Sequence, residues 1–371
     1  MKAIGLINET SYDTRVALTP QVVEYLNKNL KYQFFIESGC GIKSGFSDED
    51  YKNASAVIVE NKEELLQKSQ IIIGINSYNL ANINSDMKDK IIIGLFYPYE
   101  NNSQIKKLLN QNATLIALEA IPRISRAQSM DVLSSQANLA GYVSVLLAAN
   151  KLNRILPMMS TAAGTIKPSK VLILGAGVAG LSAISTAKRL GAIVYAYDVR
   201  PEVKEQVESL GAKFLDIGLQ QAKSSDGYAL ALMEDEQKLQ RELLSKKAKD
   251  MDIIISTALI PNKKAPLLLD DSLSLSMKEN SVIIDMAAKN GGNINLSVLN
   301  EWKKIDKIWV YGADSLANQI PYDASFTFSN NVKAFLEIAF DKEGILQKDD
   351  EIISASLLCQ DGQWLNKKII L

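Results

Sequence analysis

The stretch Gly175-Ala176-Gly177-Val178-Ala179-Gly180 decides the fold of this chain. A run typical of a β-strand, Lys170–Leu174, precedes it, and residues 181–190 follow with a pattern typical of a helix. A second strand-like run, residues 192–197, ends at Asp198. This order predicts a βαβ unit whose glycines allow a tight turn, close approach of the backbone to a pyrophosphate and close helix–sheet packing. The N-terminus of the helix would then bind a dinucleotide.

The acid at the end of the second strand indicates which dinucleotide binds. Asp198 lies 18 residues after Gly180, near the spacing of ~20 at which a carboxylate reaches the adenosine ribose. A carboxylate there accepts hydrogen bonds from both ribose hydroxyls and repels a 2′-phosphate. Arg200 could bind such a phosphate, but Pro201 and the charged residues after it suggest that Arg200 begins a solvated helix. The pattern favours NAD(H) over NADP(H).

Composition argues against several kinds of partner and site. The 371 residues exceed the usual size of a single core, so two domains are expected. The 41 basic and 42 acidic residues nearly balance, which argues against nucleic acid as a partner. The chain has no histidine, and Cys40 and Cys359 lack a metal-binding spacing, so we expect no metal site. No apolar run reaches the ~20 residues of a membrane span, so we expect a soluble protein without direct membrane insertion.

Short apolar strands alternate with helical segments along the chain, which is typical of parallel α/β sheets. The predicted fold class is α/β, with two doubly wound Rossmann-like parallel-sheet domains and a cleft between them. Residues 1–135 and 318–371 are expected to form a first, discontinuous domain, and residues 136–317 the NAD(H)-binding domain. One long helix is expected over residues 127–152, and another helix from residue 330.

The entrance to the long predicted helix is unusually polar. Gln128, Asp131 and Ser134 recur every three residues and are expected along roughly one helix face. One interpretation is a solvated face with N-terminal capping. The other is a cluster of donors and acceptors that recognises an amide near the domain junction, where ligands of such folds bind. Spacing alone leaves both interpretations open.

The run RISRAQSMD, residues 123–131, resembles the signature of domain I, the NAD(H)-binding component of proton-translocating NAD(P) transhydrogenase. The resemblance implies that Arg123, Gln128, Asp131 and Ser134 surround the nicotinamide end of NAD(H), where they would serve the catalytic step. It covers most of the chain, with matching motifs at residues 15–20, 175–180, 198–201, 205–214, 227–229, 257–261 and 291–293.

The same resemblance implies further cofactor contacts and partners. A loop carrying Tyr228 would close over the nucleotide, and the remaining cofactor-binding residues would be Val199, Arg200, Ala258 and Leu259. Hydride would pass directly between NADH and NADP⁺, with NADP(H) bound on a separate beta subunit. A membrane-spanning part of the alpha subunit would move the protons. The protein would be a homodimer in the cytoplasm, held peripherally on the inner face of the cytoplasmic membrane through its partner subunits.

Alanine dehydrogenase is the main alternative, because it is similar in fold and shares the Arg15 motif. That enzyme needs a lysine and a histidine to bind and protonate pyruvate. This chain has Gly74 at the lysine position and no histidine, which leaves Tyr97 as the first candidate for a substitute acid. A 2-oxo acid reductase must supply a proton, whereas hydride passage between nicotinamides needs none. A non-catalytic NAD(H)-binding protein is the third interpretation.

Overall fold

The computed structural model describes residues 2–83, 86–218, 234–260, 264–341 and 343–366. The chain divides into two compact units, one of Met1–Gln136 with Asn318–Leu371 and one of Ala137–Ala317. Each unit is built around one mainly parallel sheet with helices between successive strands. The predicted α/β fold class, with two doubly wound sheets, is confirmed.

Strands and helices alternate through the first part of the chain, as the sequence predicts. They are β1 (Ala3–Leu6), α1 (Pro20–Leu30), β2 (Gln33–Glu37), α2 (Asp48–Asn53), β3 (Val57–Val59), α3 (Lys62–Lys68), β4 (Ile71–Ile73), β5 (Ile91–Gly94), α4 (Asn102–Asn110) and β6 (Thr114–Ala117). The apolar runs at residues 71–75 and 91–96 each extend two residues beyond the ends of β4 and β5. Buried carboxylates explain these ends, because Glu9 accepts the N–H of Ile75 and Glu119 that of Phe96.

Helix α5 (Val132–Lys151) carries the chain into the second unit. The elements that follow are β7 (Met159–Thr161), β8 (Gly164–Ile166), β9 (Lys170–Leu174), α6 (Val178–Arg189), β10 (Ile193–Tyr197), α7 (Lys204–Ser209), β11 (Lys213–Phe214), α8 (Glu234–Ala248), β12 (Ile253–Ser256), α9 (Asp271–Ser274), β13 (Val282–Asp285), β14 (Trp302–Ile305) and β15 (Ile308–Gly312). The exposed β7–β8 hairpin was not predicted, since its strands bury no face that would create an apolar alternation.

The chain then returns to the first unit. Its last elements are α10 (Pro321–Ala339), α11 (Glu351–Ser356), β16 (Leu357–Gln360) and β17 (Gln363–Trp364). Helix α10 starts at Pro321 rather than at the predicted residue 330, because a proline fits the first helical turn, where its missing N–H is no loss. Strand β16 pairs antiparallel with β6, so the C-terminal segment extends the sheet that the N-terminal segment begins.

Both sheets have the strand order of a doubly wound fold. The order is β17-β16-β6-β5-β4-β1-β2-β3 in the first unit and β11-β10-β9-β12-β13-β15-β14 in the second. The order reverses between β1 and β4 in the first sheet and between β9 and β12 in the second. Ligands of open α/β sheets bind outside the carboxyl ends of the strands at such a switch point.

Strand β4 shows how the first sheet is covered on both faces. Its isoleucines alternate between two apolar layers, and each is fully buried. Ile71 and Ile73 pack in the cluster that contains Phe335 of α10, whereas Ile72 packs with Leu65 of α3. Burial on both faces explains why the strand reads as a continuous apolar run rather than as an alternation.

Helix α5 is the one helix of the described ranges that is long and apolar enough, by length and composition, to cross a membrane. The core helix of a soluble protein passes the same test, so the finding is weak evidence. In the second unit α5 packs closely on α6, because a Cβ added at Gly141 would lie 2.1 Å from the carbonyl oxygen of Ala179. Ser182 of α6 also donates a hydrogen bond to the carbonyl of Asn138.

Glu119 is a buried acid with an incomplete set of hydrogen bonds. Its Oε1 accepts from the backbone N–H groups of Phe96 and Tyr97, at 2.8 and 2.5 Å. Its Oε2 is buried without a hydrogen-bond partner among the described residues. Burial raises the pKa of Glu119 to about 7, and the backbone N–H groups of Tyr97, Glu119 itself and Phe96 oppose the rise. The unpartnered oxygen is therefore the natural place for a proton near neutral pH.

Glu119→Gln is expected to stabilise the protein at about pH 8 and to change its stability little at about pH 5. The folded state keeps the Glu119 proton above the ordinary value of 4.5 and up to about 7, whereas the unfolded chain loses it. Stability therefore falls as pH rises through this window, by roughly 3 kcal/mol for the full shift. The amide of glutamine carries no charge to bury. Urea unfolding at both pH values measures the difference.

Glu9→Gln is the matched control. The pKa of Glu9 is also raised to about 7 by burial, but both of its oxygens accept backbone N–H groups, from Ile75 and Asn76. An amide nitrogen there would oppose one of those donors, so this variant should be less stable at both pH values. If Glu119→Gln lost stability at the higher pH, the protonation of Glu119 would be contradicted.

Candidate functional site

The glycine-rich turn of the second unit lies at the switch point of its sheet. Gly175 follows β9 and Thr257 follows β12, the two strands between which the order reverses. Gly175 has a φ of +95°, and a Cβ there would lie 2.7 Å from the hydroxyl of Thr257. That hydroxyl donates to the Gly175 carbonyl at 3.1 Å. The turn is thus held against the end of β12, and only glycine meets both demands.

The other two glycines of the motif differ in their surroundings. A Cβ at Gly180 would lie 1.9 Å from the carbonyl oxygen of Gly175, so α6 packs directly on the turn. A Cβ at Gly177 would meet nothing within 4 Å among the described residues, and Gly177 is the N-cap of α6 without a capping side chain. The space beside Gly177 at the start of α6 is therefore open, and an open helix N-terminus fits a pyrophosphate.

Asp198 lies against this turn. The residue is 8% exposed, and Oδ2 of its carboxylate accepts the N–H of Ala176 at 2.8 Å. The backbone N–H and Nε of Arg200 both donate to Oδ1 at 2.9 Å, and Nη2 donates to Oδ2 at 2.8 Å. Arg200 does begin a helix, as predicted, but the expectation that its side chain is solvated is wrong. Arg200 precedes the 3₁₀ helix Pro201–Val203, and its side chain folds back because a nearly buried carboxylate attracts a counter-ion.

The loop after β12 is held by a residue to which the sequence assigned no role. Asn293 is fully buried; its Oδ1 accepts the N–H of Ala258 at 3.2 Å and its Nδ2 donates to the Ala258 carbonyl at 2.9 Å. Leu259 is exposed, and Val199 is partly buried beside the core. The Gly-Gly-Asn motif that contains Asn293 was the only sequence signal for this contact. Tyr228 lies outside the described residues.

Asn293 is in turn fixed by Asp285 at the end of β13. The fully buried Asp285 carboxylate accepts the N–H of Asn293 at 3.0 Å through Oδ2 and the N–H of Ala287 at 3.0 Å through Oδ1. Burial raises the pKa of Asp285, while these hydrogen bonds oppose the rise. The loops after β12 and β13 are therefore connected through side chains at the carboxyl end of the sheet.

In the first unit the structure corrects the prediction for residues 127–152. A 3₁₀ helix, Ser125–Met130, comes first, and α5 starts only at Val132. Asp131 separates them as an N-cap, with Oδ1 accepting the N–H of Ser134 at 2.9 Å and Oδ2 its hydroxyl at 2.6 Å. Gln128, Asp131 and Ser134 therefore do not share the face of one helix. Asp131 and Ser134 are joined, while Gln128 and Arg123 are exposed.

The Arg15 motif forms a buried polar cluster in the first unit. Arg15 is 6% exposed, and its Nε and Nη2 pair side-on with Asp13 at 3.0 and 2.8 Å. Its Nη1 donates to Gln136 at 2.8 Å. The charge of Arg15 is thus matched by a buried acid of its own loop.

Gly74 and Tyr97 do not supply the lysine and the general acid that alanine dehydrogenase needs to reduce a 2-oxo acid. A Cβ at Gly74 would lie 2.7 Å from the end of the Ile7 side chain, so a lysine there would require Ile7 to move. Burial, followed by the charge of Glu119, raises the pKa of Tyr97 far above neutrality. A phenol that holds its proton so strongly is a poor general acid at neutral pH.

Gly177→Ala and Gly180→Ala should separate binding from folding. Alanine at Gly177 has space and an allowed φ of −76°, so the protein should keep its stability, but the methyl group would occupy the open space before α6. Dinucleotide affinity should fall by at least ~10-fold, or 1.4 kcal/mol. Alanine at Gly180 would meet a backbone oxygen and should lower the unfolding temperature. Calorimetry with NADH and thermal unfolding measure the two effects, and unchanged NADH affinity in Gly177→Ala would contradict the phosphate site.

Comparisons with known proteins agree with this architecture. The N-terminal and C-terminal domain models of the family "Alanine dehydrogenase/PNT" match residues 5–140 and 144–367. The first part of NAD(P) transhydrogenase subunit alpha from Rickettsia prowazekii is 40% identical over 371 residues, which cover 99% of this chain and 96% of the relative. A transhydrogenase structure from Sinorhizobium meliloti has a TM-score of 0.84 at 34% identity and covers 99% of this chain and 100% of its own.

An L-alanine dehydrogenase structure has a TM-score of 0.80 at 22% identity, with 99% of this chain and 97% of that chain covered. At this identity the match shows a shared fold. The resemblance found in the sequence motifs is confirmed by the family models and by the relatives at higher identity. The chain belongs to the alanine dehydrogenase/PNT family and, within it, to the NAD(P) transhydrogenase alpha subunits.

Proposed function

We propose that this protein is the NAD(H)-binding subunit of a proton-translocating transhydrogenase. It passes hydride directly between NADH, bound here, and NADP⁺, bound on a partner beta subunit. The observation that carries the proposal is the open space before α6 at Gly177, with Asp198 beside it, in a chain related to transhydrogenase alpha subunits. The space suits a pyrophosphate, and the carboxylate suits a ribose.

The adenosine half of the dinucleotide would be recognised by the second unit. The free N–H groups and the positive dipole end of α6 attract the pyrophosphate. Asp198 accepts hydrogen bonds from the ribose hydroxyls and repels a 2′-phosphate, so the site selects NADH. Ala258 and Leu259 supply backbone and side-chain contacts beside the turn. Tyr228 is proposed as a lid from the family resemblance alone.

The chemical step is a transfer between two nicotinamide rings. The C4–H bond of NADH breaks, and hydrogen moves with its electron pair to C4 of NADP⁺, so NADH is oxidised and NADP⁺ is reduced. No proton enters or leaves the rings, and the step needs no general acid. Its rate depends on holding the two C4 atoms about 3–3.5 Å apart. A chain without histidine is suited to such chemistry.

The residues of the Arg123 motif would orient the nicotinamide. Arg123, Asp131 and Ser134 hold the carboxamide and so decide which ring face is presented, while Gln128 lies beside the ring. The bonded Asp131–Ser134 pair supports this role, because it fixes two polar side chains at the start of α5. Proton movement belongs to a separate membrane-spanning part of the alpha subunit. The protein acts as a homodimer, peripheral on the inner face of the cytoplasmic membrane through its partners.

Isotope transfer tests the function. Purified protein is mixed with a transhydrogenase NADP(H)-binding domain, NADP⁺ and NADH that carries deuterium at the transferred C4 position. Deuterium is expected in NADPH, because the hydride never exchanges with water. NADH binding without transfer would favour a non-catalytic NAD(H)-binding protein. Partner-independent formation of NADH from alanine and NAD⁺ would favour the alanine dehydrogenase alternative.

NADH should bind at least ~10-fold more tightly than NADPH, a difference of about 1.4 kcal/mol. The cause is repulsion between Asp198 and the 2′-phosphate, together with the loss of one hydroxyl donor. Asp198→Ala should reduce the difference in affinity between NADH and NADPH, mainly because NADH binds more weakly. Calorimetric titration of both dinucleotides measures it, and equal affinities in the wild-type protein would remove Asp198 as the selecting group.

Gln128→Asn should slow hydride exchange by up to ~100-fold and keep NADH affinity within a few-fold. Shortening the side chain moves its amide by about 1 Å, and a step governed by alignment is sensitive to that displacement. Exchange kinetics and calorimetry are compared with Ser129→Ala, an exposed neighbouring residue that should change neither. A loss confined to binding would make Gln128 an anchor. An unchanged rate of hydride exchange would favour the interpretation that the Arg123 motif is a solvated surface.

A further inference from the structure

The Asp198 carboxylate has no free acceptor position in this structure. A carboxylate has about four lone-pair sites, two on each oxygen. Oδ1 accepts the backbone N–H and Nε of Arg200, and Oδ2 accepts the N–H of Ala176 and Nη2 of Arg200. These four donors fill the four sites. A ribose therefore finds no acceptor at Asp198 until one of the donors leaves.

The four donors are of two kinds. Two are backbone N–H groups, from Ala176 and Arg200, and each holds one lone pair on a different oxygen. The other two belong to the guanidinium of Arg200, which also serves both oxygens. The backbone donors are fixed by the glycine turn and by the chain after β10. The side chain can leave while both of them stay in place.

The guanidinium presents the same pattern of donors as a ribose. Its Nε and Nη2 offer two parallel N–H groups to the two carboxylate oxygens. The 2′- and 3′-hydroxyls of an adenosine ribose offer two neighbouring O–H groups to the same pair of oxygens. Either pair completes the hydrogen bonding of Asp198, but both cannot do so together.

We propose that Arg200 is an internal competitor for the adenosine ribose. In the free protein its guanidinium occupies the acceptor positions of Asp198, and it leaves them when the two hydroxyls arrive. The inference rests on the proposed NADH site, but not on hydride transfer. Apparent affinity is then the intrinsic affinity reduced by the fraction of molecules in which Arg200 has left Asp198.

The exchange also affects the choice of dinucleotide. NADH replaces two donors with two donors, so Asp198 stays satisfied when Arg200 leaves. NADPH offers one hydroxyl and a 2′-phosphate, so displacement of Arg200 would leave a nearly buried carboxylate short of a donor and beside an anion. NADPH is therefore expected to bind without displacing Arg200, so Arg200 sets how tightly NADH binds and does not recruit the phosphate of NADPH.

Arg200→Met tests the competition, because methionine has a similar length but neither charge nor N–H donors. NADH is expected to bind three- to tenfold more tightly, with a faster association rate, and NADPH affinity should stay within twofold. Calorimetry and stopped-flow binding measure both ligands. Arg189→Met, at an exposed position in the last turn of α6, is the matched control and should change neither.

A second ligand separates competition from a purely structural effect. NADH that lacks the adenosine 2′-hydroxyl offers one donor, so in the wild type Arg200 can keep a hydrogen bond to the other oxygen of Asp198. The affinity lost on removing this hydroxyl should therefore be several-fold smaller in the wild type than in Arg200→Met, where no side chain supplies the missing donor. Arg200→Lys keeps the charge but lacks the planar fork, so it should fall between them. It also serves as the test variant if Arg200→Met fails to fold.

Three outcomes would overturn the inference: weaker NADH binding in Arg200→Met, an equal hydroxyl penalty in both proteins, or loss of NADPH binding in the variant. The first would make Arg200 a direct anchor, and the third would make it a phosphate ligand. Failure of hydride transfer in the presence of normal NADH binding would refute the proposed function and leave this competition standing.

Discussion

The approach of α6 to the turn after β9 is the constraint on which the second unit depends. The helix comes so close that a Cβ at Gly180 would overlap the carbonyl oxygen of Gly175. This approach fixes where the first turn of α6 points and leaves open space beside Gly177. It also presents the N–H of Ala176 to Asp198. Since the turn is held to β12 through Thr257, the proposed phosphate site and the acid proposed to bind the ribose are supported by the same contacts.

Buried acids hold the loops at the carboxyl ends of the strands, and they differ in how their charge is neutralised. Buried backbone donors that no neighbouring strand can satisfy must find another acceptor. Glu9 and Glu119 accept such donors just beyond β4 and β5, and burial raises their pKa to about 7, so a proton can remove their charge. Asp198 bonds the glycine turn but is paired with Arg200, whose side chain is 17% exposed. A counter-ion that can leave makes a carboxylate available to a ligand.

The sequence by itself determined the features that depend on local spacing. The apolar run Lys170–Leu174 gave the observed bounds of β9, and the glycine motif with its flanking strands predicted a βαβ unit of the dinucleotide-binding type. The motifs of the Arg123 run identified the family. A strand period and a glycine requirement are both set by neighbours along the chain, which is why sequence reveals them.

Only the tertiary structure decided which polar groups meet. The Asp131 cap interrupts the predicted long helix, Arg200 folds back on Asp198 instead of entering solvent, and Asn293 clamps Ala258 from 35 residues away. Each outcome depends on burial, because a polar group removed from water takes whatever partner the fold brings near it. Local sequence patterns do not show which distant group becomes that partner, so these contacts could not be predicted from the sequence.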